Sequence, residues 1–471
     1  MHDVPVDDSL QKQQAFLDSR RKHVLNITNH GIHQWEIFPG LPDTGGQNVF
    51  VNRFSEELAR LGFKVTIVNR GGYPHPLTGE RHTGLCYRDE RQRILYLEDG
   101  LEEFVRKEDM DERIPYLTER LREFLEAEGT GVDLIFSHYW DGLKIGVLYN
   151  RTLSERVKHI WIPHSLGAIK KRNVPQEQWA DLRIDERIAI ERELLQELDG
   201  VAATSSTIRR SLRSDYGYTG TVLFLPPCVD TEWFHPREVQ DDDEVWGFLS
   251  RHSGLSPHEV RSARIVTEIS RTDVNKRKDV LIEAFAMIQE RVPDSLLVVS
   301  VDESREELAG KLKNLIRSLE LRNCVAAYVP DDVLPALYAV TDVYCTPSVV
   351  EGFGMSAQEA AATGVPVVAS HLVPFATEYL LGEVVEEVYF EEGSRPVQLG
   401  RGAIVVQADD VRGFAWAMEM LLTDDDLRRE MGNNAYHITV PRFTWRSKTI
   451  AFLEEIGVSE EEKCPHKRVS T

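Results

Sequence analysis

The chain reads as an α/β protein built from two doubly wound, mostly parallel sheets. Three observations predict this. Strand-like and helix-like segments alternate from Lys22 to about Ala451, a rhythm that gives parallel strands with helices on both faces. The 471 residues exceed what one core organises, so two domains follow. Each half also carries a glycine loop at a strand-to-helix junction, where doubly wound sheets hold ligands.

Taken in order, residues 1–20 read as a loosely ordered segment. The first domain spans 21–235, with strands at KHVLNITNH, GFKVTIVNR, GVDLIFSH, VKHIWIPH, LDGVAATSS and GTVLFLPP. Between the first two lies DTGGQNVFV (43–51), after which Val51, Phe54, Leu58 and Leu61 recur at helical spacing. A helix therefore opens near Gly46 and runs to Gly62. Its free N–H groups and positive end suit an anion, and the glycines let a ligand come close. The acidic run QDDDEVW (240–246) reads as a seam. The second domain spans 236–440, with strands at SARIVTEIS, DSLLVVSV, CVAAYVP, DVYCTPS and GVPVVAS and helices at KDVLIEAFAMIQERV and DVLPALYAV. Residues 441–458 read as a helix returning to the first domain, and 459–471 as a tail. Two such domains are expected to face a central cleft with their strand ends.

Composition excludes several classes. The formal charge is −22, which argues against general nucleic-acid or anionic-membrane binding. No apolar run approaches membrane-spanning length. The start MHDVPVDDSLQKQQ lacks a charged-then-apolar signal pattern. The five cysteines are scattered without a CxxC pair, so reduced thiols, a cytoplasmic location and no zinc site are expected.

The chemistry concentrates in the second half. In PSVVEGFGMSAQEAAATGVPVV (347–368), Gly352 and Gly354 form a loop, Ser356 reads as an N-cap, and 357–363 read as a short helix stopped at Gly364. Glu351 precedes that helix and Glu359 lies on it. Eight residues of helix rise by roughly 12 Å, so the two carboxylates can hold hydroxyls at opposite ends of one elongated ligand. N–H groups between them would hold its phosphates. A nucleotide-sugar has that layout of ribose, diphosphate and hexose. In SRTDVNKRKDVLIEAF (270–285), Arg271 follows a strand and Lys276 lies in the loop before a helix. Both are placed to neutralise a departing diphosphate, and no Asp-x-Asp stands at a strand end as a metal site. Arg277 and Lys278 read as ordinary solvated charge.

Together these segments, PPCVDTEWFHP and DTGGQ resemble the retaining glycosyltransferases of family 4, which have the GT-B fold of two Rossmann-like domains. The segments SHYWDG (137–142), PHSLGAIKKR (163–172) and RIAIERE (187–193) are similar to the sucrose-phosphate synthase group with its mannosylfructose-phosphate synthase relatives. The resemblance implies a hexosyl transfer from a nucleotide-sugar to a sugar phosphate. UDP-glucose and fructose 6-phosphate are the first pair, and GDP-mannose is the alternative donor. It implies catalytic Arg271, Lys276, Glu351 and His164. It implies a donor site of Gly45, Gly46, Gln47, Gly352, Phe353, Gly354, Met355, Ser356 and Glu359. It implies an acceptor site of Lys107, His138, Ser165, Lys170 and Arg187, with the three cations gripping the phosphate. No metal and no cofactor beyond the nucleotide-sugar are expected, and the partners are small molecules. Three departures from the group's pattern stand out. PPCV replaces Pro-Pro-Gly-Val, HLVPFATEYL replaces a Gly-Gly-Pro turn, and SVDES replaces a VGDG-like strand end. A nucleotide-sugar epimerase on the same fold is the other enzyme class, and one that needs no acceptor pocket.

Overall fold

The computed structural model describes residues 6–37 and 41–458. The chain divides into two compact units, Met1–Pro226 with Trp445–Thr471, and Pro227–Thr444. The division falls at the Pro226–Pro227 pair rather than at 235/236.

The first unit holds an eight-stranded sheet of β1 (His23–Ile27), β2 (Lys64–Arg70), β3 (Gly84–Tyr87), β4 (Gln92–Leu97), β5 (Leu134–His138), β6 (Lys158–Ile162), β7 (Gly200–Ala203) and β8 (Val222–Phe224). Their order is β3-β4-β2-β1-β5-β6-β7-β8. Every pairing is parallel except β3 with β4 at one edge. β1 lies between β2 and β5, with Ile27 opposite both Val68 and Ser137. Chain direction across the sheet reverses there, so the carboxyl ends of β1 and β5 flank the switch point where such sheets bind ligands. The central strands are buried throughout, as helices on both faces require.

The last helix, Trp445–Glu455, packs on the helix Gly46–Arg60. The Trp445 ring meets Phe50 at 5.0 Å and Phe452 meets Phe136 at 5.7 Å. The segment read as loosely ordered instead carries a helix, Val6–Asp18. Phe16 is its anchor: fully buried, with the Arg93 guanidinium 4.0 Å over its ring. The tail 459–471 lies outside the described residues.

The second unit repeats the plan with β9 (Arg264–Glu268), β10 (Ser295–Ser300), β11 (Cys324–Ala327), β12 (Val343–Thr346), β13 (Val367–Ser370), β14 (Glu386–Val388), β15 (Val397–Leu399) and β16 (Ala403–Val406). The order is β11-β10-β9-β12-β13-β16-β15-β14, with an antiparallel hairpin at the β14 edge. β9 lies between β10 and β12, so a second switch point sits at the carboxyl ends of β9 and β12. The segment Arg271–Lys276 and the loop Pro347–Gly354 start from those ends.

Candidate active site

In the first unit, two of the expected acceptor residues, Lys170 and Arg187, line one depression together with Glu108, Tyr139 and Arg183, among others, while Lys107, His138 and Ser165 lie outside its lining. Lys170 sits on the helix Gly167–Asn173 and Arg187 on the helix Ile184–Leu194. Glu191 ties those helices together. It accepts from Arg187 Nε at 2.7 Å and from the Gly167 N–H at 3.0 Å, and the Tyr216 hydroxyl also donates to it.

Arg187 is held far more firmly than a loose phosphate clamp. It is buried, and it donates to Glu191, to the Tyr139 hydroxyl, and to the Ser165 carbonyl (2.6 Å) and hydroxyl (3.1 Å). Four of its five N–H groups are thereby used, and its guanidinium lies 4.0 Å over the Tyr139 ring. Ser165 thus acts on Arg187. Lys107 pairs with Asp43, which also accepts the Lys107 backbone N–H at 3.0 Å. Burial pushes the Asp43 carboxyl up, but the Lys107 ammonium overrides it and holds the carboxyl below its usual range. Lys107 and Lys170 share Glu108, whose Oε1 lies 3.4 Å from both ammonium nitrogens.

His138 and His164 end β5 and the strand-to-helix turn after β6. Their rings stack at 5.1 Å, with His138 Nδ1 2.9 Å from His164 Nε2. Asn26 donates to Ser55 through Nδ2, so its Oδ1 accepts from His138 Nε2 at 2.9 Å. The network therefore assigns the His138 proton to Nε2, and His164 donates from Nε2 and presents a lone pair at Nδ1. Burial pushes the His164 imidazole down to about 3, and burial holds His138 well below its usual value, so the pair stays neutral. His164 has φ 54°, and the Ser165 N–H donates to the Pro163 carbonyl across it, making a tight γ-turn. Gly45 caps the helix Gly46–Arg60 with its N–H donating to Asn48 Oδ1 at 3.0 Å. Among the described residues, no atom outside its immediate chain neighbours would touch a Cβ there. Gln47 donates to the Thr28 hydroxyl at 3.2 Å.

In the second unit, Arg271 is exposed, and Lys276 pairs with Glu351. The loops bearing these two are laced together: the Val349 N–H and the Ser348 hydroxyl both donate to the Asn275 carbonyl, at 2.8 and 3.2 Å. The helix runs Met355–Ala362 and its N-cap is Gly354 with φ 108°, so Ser356 lies inside the first turn and is not the cap. Only glycine suits that position, because a Cβ there would fall 2.7 Å from Val373 Cγ1. The segment HLVPFATEYL thus packs directly on the glycine loop. The Phe353 side chain is buried, with its ring 5.3 Å from Phe375. Met355 and Ser356 stay half-buried on the first turn, and Gly352 is exposed. Glu359 is half-buried and accepts from the Tyr338 hydroxyl at 3.2 Å. Burial lifts its carboxyl to about 7.

Lys278 corrects a second reading. It is buried, with its ammonium 2.8 Å from Glu268 and 2.9 Å from the Ser270 carbonyl, and it also reaches the Ser300 carbonyl. It pins the ends of β9 and β10 beneath Arg271. Arg277 pairs with Asp279 and Asp409.

Residues 44–233 match the family described as Glycosyltransferase Family 4, and residues 258–438 match Glycosyl transferases group 1. A mannosylfructose-phosphate synthase from Agrobacterium fabrum is 31% identical over 368 residues, covering 74% of this chain and 76% of that protein. The chain belongs to glycosyltransferase family 4. A D-inositol 3-phosphate glycosyltransferase from Corynebacterium aurimucosum is 28% identical, over 86% of this chain and 89% of its own. The sucrose-phosphate synthase structure from Thermosynechococcus elongatus shares the two-domain GT-B fold. It has a TM-score of 0.74 and 23% identity, covering 92% of this chain and 98% of that one.

Several side chains at this glycosyltransferase's candidate site were not singled out in the sequence. His30 Nδ1 lies 2.9 Å from the buried Asp141, and its ring packs on Tyr139 at 4.7 Å. Tyr139 is therefore sandwiched between His30 and Arg187, and it holds φ 61°. Asp43, Tyr139, His164 and Arg183 all adopt positive φ, and among the described residues of the first unit no other non-glycine does. Backbone of this kind persists only where the surrounding structure fixes it. The Arg187–Glu191 spacing of four was a readable signal for the buried pair; Tyr139 stood in SHYWDG, where residue type alone gave it no role.

Proposed function

We propose that this glycosyltransferase moves a hexosyl group, with retention of configuration, from a nucleotide-sugar to a sugar phosphate. UDP-glucose with fructose 6-phosphate is the first pair to try. The observation that carries this is the depression lined by Lys170 and Arg187 and joined to Lys107 through Glu108. Two cations at one concavity with a third beside it, in a chain of net charge −22, suit a phosphate dianion. The names of two relatives, mannosylfructose-phosphate synthase and D-inositol 3-phosphate glycosyltransferase, support a phosphorylated acceptor. The first also favours GDP-mannose as a second donor to test. The epimerase reading gives way, because both matched families are glycosyl transferases.

In the second unit, Glu359 holds the ribose, the N–H groups after Gly354 hold the diphosphate, and Glu351 holds the hexose. Arg271 and Lys276 stabilise charge on the leaving diphosphate, which takes the proton of the incoming hydroxyl on the same face. In the first unit His164, neutral with a lone pair on Nδ1, can accept from a sugar hydroxyl. Among the described residues no helix is long and apolar enough to cross a membrane, so substrates in solution are the ones to try.

The test is kcat/KM for each sugar with and without its phosphate, across UDP- and GDP-linked donors. The wild type should prefer the phosphorylated sugar. Lys170→Ala should raise acceptor KM by roughly ten- to a hundredfold, since a charge-assisted contact contributes about 1.5–3 kcal/mol. Donor KM should hardly change. Preference for the free sugar would overturn the phosphate pocket.

A further inference from the structure

Resting on the phosphate-acceptor reading, we propose that Glu108 is an internal counter-anion that occupies the acceptor-phosphate site and sets which anions enter it. Three features point to this role. Glu108 is buried, so its carboxylate depends on protein partners for compensation. Those partners are the two lysines expected to grip the phosphate, and one oxygen, Oε1, serves both at 3.4 Å. That separation is long for a charge-assisted hydrogen bond, which settles near 2.7–2.9 Å. The carboxylate holds the ammonium groups at a distance a larger, three-oxygen anion would close. The third feature is asymmetry. Lys107 has Asp43 as a second and closer partner, and the Glu108 contact is the one ion pair the Lys170 ammonium makes among the described residues. Lys170 is therefore the cation that a ligand recruits, and Glu108 is the group it recruits it from.

The consequence is a threshold. An entering phosphate must displace or approach a fixed negative charge that shares its cations. A small free anion has only its charge to offer and is disfavoured. A sugar phosphate adds contacts from its ring and overcomes the repulsion. Glu108 thus screens the pocket against inorganic phosphate, which would otherwise compete with substrate for the same lysines.

Glu108→Gln keeps the shape and one accepting oxygen and removes the charge. Inorganic phosphate binding, read by calorimetry on the full chain without substrates, should tighten by about ten- to a hundredfold, the Coulomb effect of one charge at this range in a partly screened site. Phosphate should also become a stronger competitive inhibitor against the acceptor, and acceptor KM should fall. If Glu108→Gln binds phosphate no tighter while the wild type still uses a sugar phosphate, the counter-anion role is wrong and the acceptor reading stands. If acceptor KM rises instead, Glu108 receives a hydroxyl of the acceptor, which also overturns the proposal. If the wild type turns over only free sugars, the acceptor reading fails. The phosphate titration of the variant then still decides whether Glu108 guards the lysines. Glu108→Ala, thermally scanned beside Glu108→Gln, separates loss of charge from loss of packing.

Discussion

Lys278 Nζ lies 2.8 Å from Glu268 Oε2, with both side chains out of solvent. Removing one partner strands the other. Lys278→Ala should destabilise the protein by about 3–5 kcal/mol, and Glu268→Leu with Lys278→Met should recover most of it. Urea denaturation measures both. Because Lys278 also holds the Ser270 carbonyl beside Arg271, folded Lys278→Ala should also turn over more slowly. Unchanged stability of the single variant would show that the pair is solvated.

Arg271→Ala and Lys276→Ala should each lower kcat by roughly 10²-fold, as expected for loss of a transition-state charge partner. Lys276→Ala carries a second effect, since it frees Glu351, with which it pairs. Steady-state kinetics with saturating donor reads this, and near-wild-type turnover in both variants would refute the assignment.

Glu359 gives donor binding a pH dependence. Burial raises its carboxyl to about 7, so below that pH it is protonated and accepts ribose hydroxyls poorly. Donor KM should rise as pH falls through about 7, and Glu359→Gln should flatten the profile while weakening nucleoside diphosphate binding. The same shift fixes a stability sign. A raised carboxyl pKa means the folded state holds the proton more tightly than the unfolded one, so this contribution is lost as pH rises from the ordinary carboxylate range through about 7. Parallel pH profiles for wild type and Glu359→Gln would remove Glu359 from the donor site.

Tyr139→Phe keeps the ring between His30 and Arg187 and deletes the hydroxyl that accepts from Arg187. Acceptor KM should rise by about ten- to a hundredfold, the worth of one hydrogen bond to a charged group, with donor KM unchanged. An equal rise in both constants would point to general misfolding of the first unit.

Chelation should leave turnover intact, because Arg271 and Lys276 meet the charge on the leaving diphosphate. Loss of activity in EDTA, restored by magnesium, would overturn that assignment.

The alternation of strands and helices was legible where strands are rich in β-branched and apolar residues, as in VTIV of β2 and LIF of β5. It was illegible at β4, where Gln92 and Arg93 are buried inside a strand. Arg93 is tolerated there because Glu128 takes its guanidinium at 2.6 Å through both nitrogens and Phe16 lies under it. Those partners come from distant segments, so no local pattern announces them. β14 and β15 form a short glutamate-rich hairpin that carries little apolar signal. Site residues followed the same division. Arg271, Lys276 and Glu351 stand in motifs tied to strand ends, which sequence spacing can place. Lys278 read as solvated charge, and only tertiary packing reveals that it is buried. Ser356 looked like a cap by residue type, but the chain starts its helix earlier because Gly354 alone suits the turn.

The four positive-φ residues around the acceptor surface, Asp43, Tyr139, His164 and Arg183, also bear on engineering. Left-handed backbone at a non-glycine position costs roughly 1–2 kcal/mol, so a library screened for heat resistance alone will drift toward relaxing these four and will erode acceptor selectivity as it gains melting temperature. Glu320 adopts the same backbone region just past the helix Glu306–Ser318, in neither subsite. Glycine there matches what a helix end prefers, which makes Glu320→Gly the place to begin hardening this enzyme without dulling its choice of substrate.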